Sequence, residues 1–200
     1  CHGAMPELGV DPINIATHIY LSLQEITSRE VTATKPAVIT IGKFAGGDAP
    51  NIIPSEVIME GTVRFLDKEV GEFIVERMND IITSTAKLFR GEAELIELSS
   101  VPPLTNDDKL ANEVTNYMKD IVGEKAVVLF NGGGMGSEDF ASYSYEVPSL
   151  YIMLGAGSKQ ENDLFGAPMH NQHVVFNEDI LPTGDAVHAY SAIMWLKNNK

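Results

Sequence analysis

The sequence predicts an α+β fold in two parts, and three observations carry that reading. Over the first hundred residues, helical and alternating apolar spacings follow one another in the order helix, strand, strand, helix, strand. Val101-Pro102-Pro103 then interrupts the chain. The rest has another rhythm: helix, short strand, glycine loop, apolar strand, long loop, helix. The first part reads as a split βαβ sandwich lacking its first strand, which is expected upstream of Cys1. The chain opens on Cys1-His2-Gly3-Ala4-Met5-Pro6 without an initiator methionine, and so reads as cut from something longer.

Each element follows from its residues. Asp11-Pro12 is a helix start, and Ile13, Ala16, Ile19, Tyr20, Leu23 and Ile26 recur at helical spacing, predicting a helix over 12 to 29. Ala37-Val38-Ile39-Thr40-Ile41 is short and β-branched and reads as a strand, broken at Gly46-Gly47. Ile52 to Phe65 alternates and predicts one long antiparallel strand. Helical spacing returns from Lys68 to Phe89 and stops at Arg90-Gly91, after which Glu92 to Leu98 alternates as a strand. In the second part a helix is expected over 107 to 122, strands at Val127-Val128-Leu129 and Leu150 to Leu154, and a helix over 178 to 197.

Composition removes several function classes. With 28 acidic against 14 basic residues the formal charge is -14, so a phosphate-binding surface is excluded and nucleic acid is the wrong partner. No apolar run approaches the roughly 20 residues of a membrane helix. The single cysteine rules out an internal disulfide framework or a Cys-based zinc cluster, and fits a reducing, cytoplasmic compartment. At 44% hydrophobic residues, 200 residues are enough for a folded core.

Five histidines are the main chemical candidates. His18 and His188 fall in helices and read as packing or surface residues, whereas His2 and His170 fall in polar or glycine-rich loops, where a side chain more often serves a site. His173 is open between a turn residue and a ligand. Spacing alone makes no zinc site of His170-Asn171-Gln172-His173, since one or two ligands do not build a shell. Gly132 to Gly136 lacks the Gly-Lys-Ser/Thr ending and the dinucleotide order of a phosphate cradle, and reads as a tight connection. Glu138-Asp139 either complements a helix dipole or supports a metal site.

Six segments taken together resemble a known family: Cys1 to Pro6, Gly9-Val10-Asp11-Pro12, Asn51-Ile52-Ile53-Pro54, Gly61-Thr62-Val63-Arg64, Gly136-Ser137-Glu138-Asp139-Phe140 and Met169-His170-Asn171. In this order they are similar to the two-metal amidohydrolases and metallopeptidases that include aminoacylases, carboxypeptidase G and indoleacetyl-amino-acid hydrolases. The resemblance implies a ferredoxin-like lid, or dimerisation, domain over residues 1–100. The C-terminal part of an α/β metallohydrolase catalytic domain would follow over 101–200. The N-terminal half, with most metal ligands and the general base, would then lie outside this chain.

By the same resemblance His170 is a metal ligand, His2 stabilises the oxyanion at a partner subunit's active site, Asn51 and Arg64 grip the substrate carboxylate, and Glu138 stands near the metal site. The implied reaction is hydrolysis of the amide bond of N-acyl amino acids or short peptides. The implied cofactors are two divalent ions, zinc or manganese, in the complete enzyme, and the implied assembly is a homodimer through the lid. Glu7, where relatives often carry histidine, and Asn171-Gln172 depart from the pattern and leave the substrate subclass open. Two other readings stand beside this one: a dimerisation module without catalysis, and a small-molecule-binding βαβ module.

Asn51 and Arg64 lie thirteen positions apart. As one straight strand, at about 3.3 Å per residue, they would be roughly 40 Å apart, too far for one ligand. A bend or bulge is therefore expected, with Gly61 as its site, unless the two residues act from different faces of a dimer.

Overall fold

The computed structural model describes residues 1–130 and 134–200. Part of the expected glycine loop, Asn131 to Gly133, lies outside the described residues. Two compact units emerge, the first built on Cys1–Pro103 with residues 134–139 and the second on residues 104–130 and 140–200.

In the first unit α1 spans Pro12–Glu25, and Asp11 caps it by accepting the N–H groups of Ile13 at 2.9 Å and Asn14 at 3.2 Å. Its apolar stripe buries Ile15, Ala16, Ile19 and Leu23. One π-helical turn, Ile26–Glu30, prolongs it and buries Ile26 completely. The strands β1 (Ala37–Ala45) and β2 (Ile58–Phe65) pair antiparallel, with Ala37 opposite Phe65 and Ala45 opposite Ile58. Alternation places Ala37, Ile39, Ile41, Met59 and Val63 against the helices and leaves Val38, Phe44 and Ile58 exposed. Helix α2, Lys68–Leu88, is capped by Asp67 and contributes Ile74, Met78, Ile82 and Ala86 to the same core. Asp67 also holds Lys35 at 2.7 Å; that ammonium, with the Val70 N–H, keeps its carboxyl below the usual value. Arg90 ends the helix in the left-handed region at φ 67°, and Gly91 N–H closes onto Ala86 O at 2.9 Å.

Three differences from expectation have physical causes. The long strand is shorter than its alternation: Ile52 makes only an isolated bridge, Pro54 supplies no N–H, and β2 begins at Ile58. The bulge lies across the sheet from Gly61: the register runs from Ile41 opposite Gly61 to Lys43 opposite Glu60, which makes Gly42 the extra residue. Gly61 has another task, since a Cβ there would collide with the Thr40 carbonyl oxygen. Finally, Glu92 to Leu98 forms no ladder, although Ala93 and Leu95 pack against the core while Glu92 and Glu94 face solvent. Alternation survives there without a strand partner among the described residues.

In the second unit α3 (Asp108–Val122, capped by Asp107) packs with α4 (Leu181–Asn198), burying Val114, Tyr117 and Val187. Asn198 donates to the Tyr117 hydroxyl at 2.9 Å, and the Tyr190 hydroxyl donates to Asp120 at 3.2 Å; the neighbouring carboxylate pushes the Tyr190 phenol up. The Asn106 amide holds both backbone groups of Tyr151, and Phe140 gathers Tyr143 and Tyr151 around it at ring separations of 5.7 and 5.9 Å. The strands expected at Val127-Val128-Leu129 and Leu150 to Leu154 are absent, and Val128, Leu129 and Met153 are largely exposed.

Candidate functional site

The opening of the chain is stitched to the loop before β2. Ile53 N–H donates to Cys1 O at 2.9 Å and Gly3 N–H to Asn51 O at 2.8 Å, so His2 faces Ile52 as the non-hydrogen-bonded pair of an antiparallel bridge. Two expected site residues far apart in sequence, His2 and Asn51, are thereby brought onto neighbouring ribbons. Gly3 suits this approach, because a Cβ there would stand 3.1 Å from Asn51 O, a tight contact that the loop would have to yield to. A cleft of about 370 Å³ lies alongside, bordered by Cys1, Asp48, Ile52, Pro54 and Ser55, with Gly47 in its wall at φ 81°.

A turn fixes His2 itself: its carbonyl accepts Met5 N–H at 2.9 Å, and its Nδ1 accepts Ala4 N–H at 3.0 Å. Arg64 lies on β2 opposite Val38 and donates from one guanidinium nitrogen to Val63 O at 3.0 Å. It is half-buried, and among the described residues it has no carboxylate partner. Arg77, the other half-buried arginine, is neutralised by Glu30 and Asp80. A partly desolvated guanidinium without a counter-ion is suited to an incoming carboxylate.

His170 belongs to the second unit, is exposed, and has φ 62°. Among the described residues Arg90 and His170 are the non-glycine residues at positive φ, and His170 caps no helix. Such a backbone costs free energy and persists where its surroundings impose it. His173 is drawn into local contacts, its N–H donating to the Asn171 side chain at 2.9 Å and its Nε2 lying 3.2 Å from Gln172. Glu138 is half-buried immediately before the short 3-10 helix Asp139–Tyr145. Among the described residues no three His, Cys, Asp or Glu side chains converge as a metal shell. A single imidazole does not fit a two-metal centre, so these residues do not hold one by themselves.

Residue patterns missed the Ala4 amide and the cleft wall formed by residues 48–49 and 52–55. A backbone donor leaves no trace in residue type. The cleft had only a weak signal, the Gly46-Gly47 to Pro54 turn cluster.

Residues 1–89 match the peptidase dimerisation domain of the M20 family. An IAA-amino acid hydrolase, ILR1-like 2, of Arabidopsis thaliana is 32% identical over 200 residues, covering 98% of this chain and 44% of that protein. The hippurate hydrolase of Campylobacter jejuni is 31% identical over 98% of this chain and 49% of its own length. A putative aminohydrolase from methicillin-resistant Staphylococcus aureus superposes with TM-score 0.78 at 27% identity, over 96% of this chain and 48% of that one. The Bacillus subtilis YXEP protein, described as a dinuclear metal binding peptidase from the M20 family, shares the fold with TM-score 0.72 at 24% identity, over 94% and 47%. The chain spans about half the length of the curated relatives it matches. Residues 1–89 belong to the M20 peptidase dimerisation-domain family, and the α+β chain around them is, over nearly its whole length, a homologue of hydrolases.

Proposed function

We propose that this chain is the lid and the C-terminal catalytic part of a metal-dependent amidohydrolase that cleaves the amide bond of N-acyl amino acids or short peptides. The observation that carries the reading is the stitched ribbon that sets His2 opposite Ile52, one residue from Asn51, with Cys1 and Ile52 bordering an open cleft. In this reading His2 donates to the oxygen of the scissile carbonyl as charge develops on it, and Asn51 and Arg64 hold the carboxylate end. The uncompensated charge of Arg64 supports its part. The names of the homologues, an IAA-amino acid hydrolase and a hippurate hydrolase, support the substrate class.

Two divalent ions, zinc or manganese, belong to the complete enzyme, to which His170 contributes one ligand and Glu138 a supporting carboxylate. The lid, residues 1–100, pairs two copies, and residues 101–200 belong to the catalytic domain. A reducing, cytoplasmic setting fits the single cysteine. The test is amino-acid release from hippurate and related N-acyl amino acids by the complete polypeptide, with and without a chelator. Chelator-sensitive release is the expected result, and no release from any of these substrates overturns the reading.

A second reading is favoured by one observation: residues 1–89 match a dimerisation domain. The chain would then pair copies and catalyse nothing. Dimers of a complete polypeptide that is inert on every amide tested would select it.

A further inference from the structure

We propose that the backbone amide of Ala4 locks His2 into the neutral Nε2–H tautomer, making the ring a dedicated hydrogen-bond donor. The inference rests on the reading above only for what His2 donates to; the lock itself stands on the geometry of residues 1–5.

Ala4 N–H reaches His2 Nδ1 at 3.0 Å. A backbone N–H can only donate, so Nδ1 must offer its lone pair, and the single proton of the neutral ring then sits on Nε2. The contact is built in: the turn closed by Met5 N–H on His2 O brings the third residue's amide under the first residue's side chain, as an Asx turn does for a carboxylate. The ladder from Gly3 to Asn51 anchors the turn in its middle.

The consequence is chemical. With Nε2 protonated, His2 cannot take a proton or bind a metal ion through that nitrogen without first giving up the Ala4 bond. It is therefore not a general base, and the ligand class it selects is an acceptor oxygen such as a carbonyl or the oxyanion derived from it. Ala4 is in this sense a positioning residue, acting through His2.

The experiment is a long-range ¹H–¹⁵N correlation spectrum of the uniformly ¹⁵N-labelled chain at a pH where His2 is neutral, with the same chain unfolded in urea as reference. The expected result is one His2 tautomer, protonated at Nε2, with the Nδ1–H population at least several-fold below that in urea. Ala4→Pro removes the donor and should return the ratio to the urea value, whereas Ala4→Gly should keep the lock. Should Ala4→Pro not fold, scalar coupling between the Ala4 amide nitrogen and His2 Nδ1 in the unaltered chain reads the same bond directly. A major Nδ1–H form, or a ratio equal to that in urea, overturns the proposal. None of these signals needs substrate, so an inactive complete enzyme would remove the amidohydrolase reading and leave the lock intact.

Discussion

The guanidinium of Arg77 on α2 closes on both carboxylate oxygens of Glu30, at 2.6 Å through Nε and 3.0 Å through a terminal nitrogen. This fork ties the π-helical turn after α1 to α2, and its hydrogen bonds hold Glu30 below its ordinary value of 4.5 while raising Arg77. A carboxyl lowered by folding adds stability that is complete above 4.5 and fades as pH falls through the folded value. Glu30→Gln should therefore lower the melting temperature at neutral pH, and the difference from the unaltered chain should shrink as pH falls below about 4.5. Coincident melting temperatures at every pH would show that the fork contributes nothing, and a constant difference down to the acid limit that its contribution is not ionic.

Gly61 should tolerate no side chain. Its Cβ would meet the Thr40 carbonyl oxygen and, at 2.9 Å, Ile41 Cδ1, and backbone cannot swing aside as a side-chain tip can. Gly61→Val is expected to destabilise the first unit by about 1–3 kcal/mol, read by denaturant unfolding. An unchanged midpoint would mean that the two strands separate freely there.

For Arg64 the expectation concerns kinetics in the complete enzyme. Arg64→Ala should raise KM and lower kcat together, costing about 2 to 4 kcal/mol in kcat/KM on a substrate with a free carboxylate. The penalty should vanish when that carboxylate is amidated. Equal losses on both substrates would make Arg64 structural.

The lid should self-associate. One edge of β1 pairs with β2 and the other carries no strand among the described residues, a template for a second copy. Sedimentation equilibrium should show dimers, and Ile39→Pro or Ile41→Pro in β1 would confuse folding with pairing, so an exposed change such as Val38→Lys is the cleaner probe. Monomer alone at high concentration would count against pairing by this unit.

Ser191 hides in α4 with its hydroxyl buried and without a hydrogen-bond partner among the described residues. Ser191→Ala removes that orphan and should stabilise the second unit, by about 1 kcal/mol. A loss of stability instead would point to a bound water completing the hydroxyl.

The helices were legible because each carries its own instructions: Asp11, Asp67 and Asp107 cap α1, α2 and α3 with their own side chains, and the apolar spacing inside each matches what is buried. Strands were less so, because a strand is a relation between two segments. Ile39 and Val63 found each other, whereas Ala93 and Leu95 kept their alternation without a ladder. The site divides likewise. His2 and Asn51 could be picked out by residue type, but their adjacency rests on the main-chain bonds of Cys1, Gly3 and Ile53, which no side chain announces. His170 was visible as a loop histidine, while its positive φ was not.

The ladderless segment after α2 has a consequence measured in time. Amides that bond across the β1–β2 ladder take up deuterium from the solvent only when the sheet opens. Those of Glu94 and Ile96, held by no backbone bond among the described residues, should exchange almost as fast as in a short peptide. Side chains pinned to a core would then belong to a backbone that labels within moments, and if a strand were supplied to that segment, its clock would slow before anything else about the fold changed.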